Sequence, residues 1–271
     1  MTITILGGDA RQKYAEMRLR ELGYEVYVAP LQHPLDEAKR GADVLLLPIP
    51  ATKDGKHLNA KLETPLPLLD LSCTHAPRIF GGGFSASFLQ LMRGKEKRVT
   101  DLLEVPAFVE ENAVLTAEAA LGVGMEACHM PPRGNRVGVI GYGRIASRLT
   151  RLLLLLGARV SVFARQEDAR RGAILDGAEA YPIEKLKSVI PTLSLLYNTA
   201  PAPILTPSIL EGASTLAIVE LASGKENISL GNNPQVTLTF AHSLPGKILP
   251  ASAGVVIANT LHQFLQKEGL R

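Results

Sequence analysis

The stretch RVGVIGYGRIA, residues 136–146, decides the fold of the second half of this chain. It runs from an apolar strand through a GxGxxA pattern, formed by Gly141, Gly143 and Ala146, into an amphipathic helix. Gly141 permits a tight turn, Gly143 lets the backbone approach a pyrophosphate, and Ala146 lets helix and strand pack closely. Because the N-terminus of that helix offers free N–H groups to phosphates, the pattern predicts a dinucleotide-binding site.

Loops at the ends of neighbouring strands should complete this site, because ligands of doubly wound sheets lie outside the carboxyl ends of the strands. One such loop begins NTAP at residues 198–201, and another begins ELAS at residues 220–223. Ordinary turns are the alternative explanation of both loops, because Asn, Thr, Pro and Ser all favour turns. The predicted cofactor-binding residues are Gly141, Tyr142, Gly143, Arg144, Ile145, Arg165, Asn198, Thr199, Ala200 and Glu220.

The cofactor preference depends on Arg165, which follows the second predicted strand of this half, residues 159–164. NAD-specific sites usually place Asp or Glu there to hold the ribose 2′-hydroxyl, whereas a guanidinium suits a 2′-phosphate. We therefore expect NADP as the cofactor, with NAD as the alternative. A solvated role at the end of the strand is the other explanation of Arg165.

Strands alternate with helices in both halves of the chain, which indicates parallel sheets. In the first half, residues 42–48 form a continuous apolar strand, typical of a sheet that is covered on both faces. The predicted fold is α/β with two domains. A smaller N-terminal flavodoxin-like α/β domain precedes a C-terminal Rossmann-type domain with a doubly wound parallel sheet.

One long alanine-rich helix, residues 111–130, links the two predicted domains, with Asn112 or Thr116 as its capping residue. A last helix should return to the first domain, by analogy with two-domain dehydrogenases. The predicted divisions are an N-terminal substrate-side domain (1–112), an NAD(P)-binding domain entered by the linking helix (113–252), and the C-terminal helix (253–271).

The composition of the chain excludes several classes of protein. A hydrophobic fraction of 46% supports a buried core, and a net charge of +3 without a basic stripe argues against a nucleic-acid partner. Cys73 and Cys128 lack the spacing of a disulfide framework or a metal site, so we expect no metal and a reducing compartment. The leucine run at residues 152–156 is far shorter than the span of about 20 apolar residues that crosses a membrane. We therefore expect a cytoplasmic protein that binds no membrane.

Four motifs resemble those of the family of the dipicolinate synthase A subunit. Residues 7–12, GGDARQ, resemble its GGDxRQ opening, and residues 111–118, ENAVLTAE, are similar to its ENAxxTAE helix start. The loop at residues 198–201 resembles its NTxP, and residues 244–254 resemble its LPGKxAPxxAG stretch. The resemblance runs from residue 7 to about residue 258, although Glu220 stands where we would expect Asp.

The resemblance implies an NADP-dependent oxidation of a dihydrodipicolinate-type intermediate of the lysine pathway to dipicolinate, pyridine-2,6-dicarboxylate, in spore-forming bacteria. It also implies that the partner is a second, flavoprotein-like subunit, and we expect a homo-oligomer. The substrate carries two carboxylates, so its site needs cationic groups or N–H donors at both ends.

Residues of the first half and of the C-terminal motif meet that need. We expect Arg11 to bind one carboxylate and Lys247 the other, while Asp9 orients Arg11 or acts as a base. Helix capping is an equally good explanation of Asp9, and a flexible turn is an equally good explanation of the glycine triplet at residues 81–83. The predicted catalytic residues are Asp9, Arg11 and Lys247, and the predicted substrate-binding residues are Gly8, Gly82, Ser85, Thr116 and Ser252.

Two other functions fit the same pattern. A 2-hydroxyacid dehydrogenase shares the two-domain layout, but its arginine is missing after Glu220 and His242 lacks the usual flanking residues. A non-catalytic NAD(P)-binding sensor or scaffold protein is the alternative outside the enzymes.

Overall fold

The computed structural model describes residues 1–29, 41–62, 64–223, 228–231 and 233–270. The chain forms two compact units, which are called unit 1 (Met1–Asn112 with Pro245–Arg271) and unit 2 (Ala113–Leu244) below. In chain order the strands and helices are β1 (Thr2–Ile5), α1 (Ala10–Glu21), β2 (Glu25–Val28), β3 (Val44–Leu46), β4 (Arg78–Gly81), α2 (Ala86–Gly94), β5 (Arg98–Asp101), α3 (Pro106–Cys128), β6 (Arg136–Ile140), α4 (Arg144–Leu155), β7 (Arg159–Phe163), α5 (Glu167–Leu175), β8 (Glu179–Tyr181), α6 (Leu186–Val189), β9 (Leu195–Asn198), α7 (Pro207–Leu210), β10 (Leu216–Glu220), β11 (Val236–Phe240), α8 (Leu244–Ile248) and α9 (Pro250–Lys267).

Unit 1 is built on a parallel sheet with the strand order β2-β1-β3-β4-β5. This is the order of flavodoxin-like folds, as the sequence predicts. All of β3 is buried, because an inner parallel strand is covered on both faces.

The C-terminal helix α9 belongs to unit 1 and packs against α1. Apolar side chains of both helices, including Leu19, Ile257 and Leu261, share one buried core with strand β1. Gly254 allows the close approach, because a Cβ atom at this position would lie 2.4 Å from the carbonyl oxygen of Arg11. This helix begins at Pro250, three residues before the start that the sequence pattern predicts.

Unit 2 is built on a parallel sheet with the strand order β11-β10-β9-β6-β7-β8. Numbered within the unit, this is the 3-2-1-4-5-6 order of the Rossmann fold, with its switch point between β6 and β9. The predicted α/β class with a Rossmann-type second half is therefore confirmed.

Helix α3 starts at Pro106, five residues before the predicted start at Glu111. Proline is favoured in the first turn of a helix, since that N–H has no partner within the helix. The prediction that Asn112 or Thr116 caps this helix is wrong, because both residues lie inside it. Over the described ranges, no helix is long and apolar enough to cross a membrane.

Candidate functional site

A cavity of about 560 Å³ opens beside the glycine loop of unit 2. Its walls are the loop at residues 141–143, the strand end at residues 163–166 and the loop at residues 199–202. Its volume lies within the usual range for small-molecule sites, and its position at the carboxyl ends of β6, β7 and β9 is where doubly wound sheets bind nucleotides.

The glycine loop has the shape that a pyrophosphate requires. Gly141 adopts a φ of +92°, and a Cβ atom there would lie 2.5 Å from Oγ1 of Thr199. A Cβ atom at Gly143 would meet nothing within 4 Å, so the space beside this residue is open to a ligand. Gly143 is also the N-cap residue of α4 and has no side chain to cap it, which leaves the N–H groups of the first turn for an anion.

Tyr142 anchors the glycine loop to helix α5. Its hydroxyl donates to the carboxylate of Asp176, which also accepts from Nε of Arg151 at 2.7 Å. Burial, with the hydrogen bond to Asp176, raises the pKa of Tyr142. Burial alone would raise the pKa of Asp176, but the bonds from Tyr142 and Arg151 outweigh it and lower that pKa. The tyrosine ring is thus part of the cavity wall and is fixed by a charged pair.

Arg165 lies at the rim of the cavity and is exposed. Its backbone is held by Arg170, whose Nη1 donates to the carbonyl oxygens of Ala164 at 2.8 Å and Arg165 at 2.6 Å. Among the residues that the structure describes, no acidic side chain forms an ion pair with Arg165. The guanidinium is therefore available to an anionic ligand.

Two acidic residues follow Arg165 in the first turn of α5, Glu167 and Asp168. Both pair with Arg171, at 2.6 Å and 3.9 Å respectively. This pairing reduces the repulsion that they would exert on a phosphate beside Arg165.

Asn198 and Glu220 end the neighbouring strands β9 and β10, and both are completely buried. Nδ2 of Asn198 donates to Oε2 of Glu220 at 2.7 Å, and the N–H of Ala222 donates to Oε1 at 2.8 Å. Burial raises the pKa of Glu220, and these two hydrogen bonds only partly offset the effect. The expectation that both side chains contact the cofactor needs correction, since they contact the adjacent loops instead.

The loop after Asn198 does reach the cavity. Thr199 and Ala200 line it, and Oγ1 of Thr199 donates to the carbonyl oxygen of Ile140 at 2.7 Å. This bond ties the loop to the end of β6, directly before the glycine loop.

In unit 1, Asp9 and Arg11 form a bidentate ion pair at the start of α1. Nε and Nη2 of Arg11 each lie 2.8 Å from a carboxylate oxygen of Asp9, and Nη2 also donates to the carbonyl oxygen of Ile49. Asp9 caps α1 as well, in a capping box with Gln12. Both explanations of Asp9 from the sequence therefore hold in part, since it caps the helix and orients Arg11.

The pKa of Asp9 and the hydrogen bonds of Arg11 limit the chemistry that each residue can perform. Burial by itself raises the pKa of Asp9, but the bonds and charge of Arg11, helped by the charge of Lys53, lower it overall. Asp9 is thus a poor base, and Nη1 is the group of Arg11 that these bonds leave for a further anion. Sequence reasoning missed Lys53, because no local pattern places this loop lysine near Asp9.

Segment α8 covers the ion pair from the C-terminal part of unit 1. A Cβ atom at Gly246 would lie 3.0 Å from Nε of Arg11 and 3.0 Å from Oδ2 of Asp9. The next residue, the predicted carboxylate ligand Lys247, is exposed. The structure thus brings Asp9 and Arg11 of the GGDARQ motif together with Gly246 of the LPGK motif within unit 1.

The glycine triplet is not an anion site, contrary to the prediction for Gly82. The N–H groups of Gly83 and Phe84 donate to Oδ2 of Asp101 at 2.9 Å and 3.2 Å, and the N–H of Gly82 donates to the carbonyl oxygen of Pro48 at 3.3 Å. Ser85 accepts from the N–H of Phe88 as the N-cap of α2. These groups stabilise unit 1 and are not available to a substrate carboxylate.

The remaining predicted substrate-binding residues, Gly8, Thr116 and Ser252, differ in their environments. Gly8 adopts a φ of +100° and its N–H donates to the carbonyl oxygen of Asn59, which is a structural role in the turn before α1. Thr116 is buried inside α3, and Ser252 is exposed in the first turn of α9. Throughout the described part of the chain, no group of three or more His, Cys, Asp or Glu residues could hold a metal ion.

Comparison with known proteins identifies relatives along the whole chain. Residues 2–103 match the family described as the N-terminal domain of the dipicolinate synthase A subunit. The dipicolinate synthase A subunit of Bacillus subtilis (strain 168) is 25% identical over 285 residues, which cover 98% of this chain and 96% of the relative.

Solved structures show the same fold. The dipicolinate synthase A subunit from Bacillus halodurans superposes with a TM-score of 0.84 at 23% identity, covering 97% of each chain. D-lactate dehydrogenase from Escherichia coli gives a TM-score of 0.62 at 16% identity, covering 100% of this chain and 98% of the other. The fold is therefore dehydrogenase-like, and the chain is similar along its length to a dipicolinate synthase A subunit, with the family match confined to residues 2–103.

Proposed function

We propose that this chain is an NADP-dependent oxidoreductase subunit that converts a dihydrodipicolinate-type ring to dipicolinate. The observation that carries the proposal is the cavity between the glycine loop and Arg165, in a chain aligned over 98% of its length with a dipicolinate synthase protein. A glycine loop alone would support only nucleotide binding. The choice of substrate is supported by the similarity to a dipicolinate synthase protein.

The reaction removes one hydride and one proton from the ring, and the product is the aromatic pyridine-2,6-dicarboxylate. When bound, the nicotinamide supplies the hydride acceptor, and the proton leaves for solvent or for a base. Because aromatic stabilisation favours the product, the protein's main task is to bind and orient the two reactants.

Unit 2 has groups for each anionic part of NADP. The N–H groups at the start of α4 suit the pyrophosphate, since the side of Gly143 is open. The exposed guanidinium of Arg165 suits the 2′-phosphate, which it can bind with two parallel hydrogen bonds. NADP is therefore the proposed cofactor, and NAD is the alternative that the binding experiments distinguish.

Unit 1 has cations for a dicarboxylate. Nη1 of Arg11 is proposed to bind one carboxylate, with Asp9 holding the guanidinium in place. Lys53 contributes positive charge near Asp9, and Lys247 follows Gly246, whose backbone adjoins the pair. We propose these two lysines as candidates for the second carboxylate.

The relatives are named as one subunit of dipicolinate synthase, which supports a second protein as the partner of this chain. We propose a flavoprotein-like partner, a homo-oligomeric state and a role in the cytoplasm of a spore-forming bacterium, in the pathway that also makes lysine. Co-purification of the tagged chain with its genomic neighbours tests the partner, and light scattering tests the oligomer.

The decisive experiment mixes the purified chain with freshly generated dihydrodipicolinate-type substrate and NADP, with and without the partner subunit. The expected result is NADPH formation matched by dipicolinate, read from absorbance and from terbium luminescence. Absence of both products in both conditions, with NADPH bound tightly, would contradict the proposal and favour the non-catalytic sensor. Turnover of glyoxylate or hydroxypyruvate, lost in His242→Ala, would instead favour a 2-hydroxyacid dehydrogenase.

A further inference from the structure

Glu220 is a buried carboxyl group without a cationic partner. Its side chain is completely buried, and within the described ranges no Lys, Arg or His forms an ion pair with it. Burying a carboxyl group is costly unless hydrogen bonds compensate it. The compensation here comes from two donors, the amide of Asn198 and the N–H of Ala222.

These two donors connect Glu220 to the wall of the nucleotide cavity. Asn198 lies opposite Glu220 in the ladder of β9 and β10. Its Oδ1 accepts from the N–H of Ala200 at 3.2 Å, and its carbonyl oxygen accepts from the N–H of Leu221 at 2.9 Å. One buried network therefore sets the conformation of the loop that carries Thr199 and Ala200 into the cavity.

The position of the network along the sheet decides which part of a dinucleotide it affects. Arg165 follows β7, and Glu220 ends β10, with β6 and β9 between these strands. Three strand spacings of about 4.8 Å place the two strand ends about 14 Å apart. Because a dinucleotide binds across the switch point, its adenosine end lies at β7 and its nicotinamide end lies towards β9 and β10.

We propose that Glu220 is a positioning residue which, through Asn198, fixes the 199–202 loop and controls the binding of the nicotinamide half of the cofactor. It does not touch the cofactor itself. The adenosine half, bound at Arg165, is independent of it. This inference rests on the NADP-binding part of the proposed function, but not on the identity of the substrate.

The hydrogen-bond geometry of the network requires a carboxylate at position 220. Both neighbours of the Glu220 oxygens are N–H donors, so the side chain must accept two hydrogen bonds. In Glu220→Gln, the NH₂ group of the glutamine must face one of these two donors. One of the two hydrogen bonds is therefore lost. The double variant Asn198→Asp with Glu220→Gln restores this bond in the reverse direction, because the glutamine then donates to the aspartate, but it loses the longer bond from Nδ2 of Asn198 to the carbonyl oxygen of Ala200 at 3.3 Å.

The test measures binding of two probes, NADPH and 2′,5′-ADP, by titration calorimetry on the full chain. Glu220→Gln should weaken NADPH binding by about tenfold, the equivalent of one lost buried hydrogen bond, and leave 2′,5′-ADP within about twofold. The double variant should recover part of the loss, because it restores the bond between positions 198 and 220 but not the bond to Ala200. Glu211→Gln, an exposed glutamate of the same unit that pairs with Lys187, is the matched control and should change neither affinity.

Equal weakening of both probes, or unchanged NADPH binding, would overturn the inference while the NADP site stands. A double variant that binds no better than Glu220→Gln would also count against it. Failure of the wild-type chain to bind either probe would instead remove the proposed NADP site, and the inference with it. Far-UV circular dichroism and thermal melting of each variant show whether unit 2 remains folded.

Discussion

Nε of Arg11 lies 2.8 Å from Oδ1 of Asp9, and the same carboxylate caps the helix that contains Arg11. One side chain thus stabilises a helix start and holds the guanidinium of Arg11, whose side chain is only 9% exposed. Asp9→Ala removes both contributions, so it should lower the free energy of unfolding by about 2 kcal/mol, the sum of a lost cap and a stranded donor group. Urea unfolding measures the change.

The control for this prediction is Asp168→Ala, at a carboxylate that is 96% exposed. It should shift stability by no more than about 0.5 kcal/mol, as surface changes do. If Asp9→Ala is as mild as this control, the pair does not stabilise unit 1.

The same pair predicts a pH dependence. Because Arg11 and Lys53 lower the pKa of Asp9 below its ordinary value of 3.8, the folded state favours the charged carboxylate. The resulting stability is present above pH 3.8 and is lost as the pH falls through the lower pKa of the folded state. The stability difference between wild type and Asp9→Asn should therefore shrink between neutral pH and acid. A difference that grows on acidification would contradict this assignment.

Local sterics explain what could be predicted from the sequence. Strand β6 and the glycine loop follow from a short apolar run and from Gly141, whose positive φ only glycine adopts readily. The two parallel sheets follow from the alternation of strands and helices. These features depend on neighbours in the chain, which a single sequence contains.

Long-range contacts explain what could not be predicted. The local pattern of the glycine triplet indicates N–H groups open to an anion, but Asp101, 18 residues beyond Gly83, accepts from them. The burial of Glu220 depends on strand pairing, and the charge of Lys53 near Asp9 depends on how a loop folds back. Pro106, by contrast, is a local signal for the start of α3. The prediction follows the alanine-rich stretch instead, and therefore starts the helix too late in the chain.

Arg165 should determine the choice between NADP and NAD. Arg165→Ala removes charge-assisted hydrogen bonds to a 2′-phosphate, so the affinity for NADPH should fall by about 10- to 100-fold while the affinity for NADH stays unchanged. Fluorescence titration with both nucleotides measures this. Arg98→Ala, at a side chain of unit 1 that is 71% exposed and pairs with Glu268, is the matched control. Equal losses for NADPH and NADH would show that Arg165 does not contact the 2′-phosphate.

The two glycines of the loop should respond differently to the same substitution. Gly143→Ala adds a methyl group in open space, so stability should change by no more than about 0.5 kcal/mol. That methyl group occupies the place of the pyrophosphate, and NADPH affinity should fall at least about tenfold. Gly141→Ala places a Cβ atom 2.5 Å from Oγ1 of Thr199 at a φ of +92°. It should therefore cost at least about 1 kcal/mol of stability as well as binding.

Urea unfolding and NADPH titration on both glycine variants separate a ligand site from a structural turn. A stable Gly143→Ala that still binds NADPH with full affinity would mean that no pyrophosphate approaches this loop. If Gly143→Ala loses as much stability as Gly141→Ala, Gly143 has a structural role in the turn. At a purely structural glycine, the added methyl group lowers the stability of the fold whether or not a nucleotide is bound.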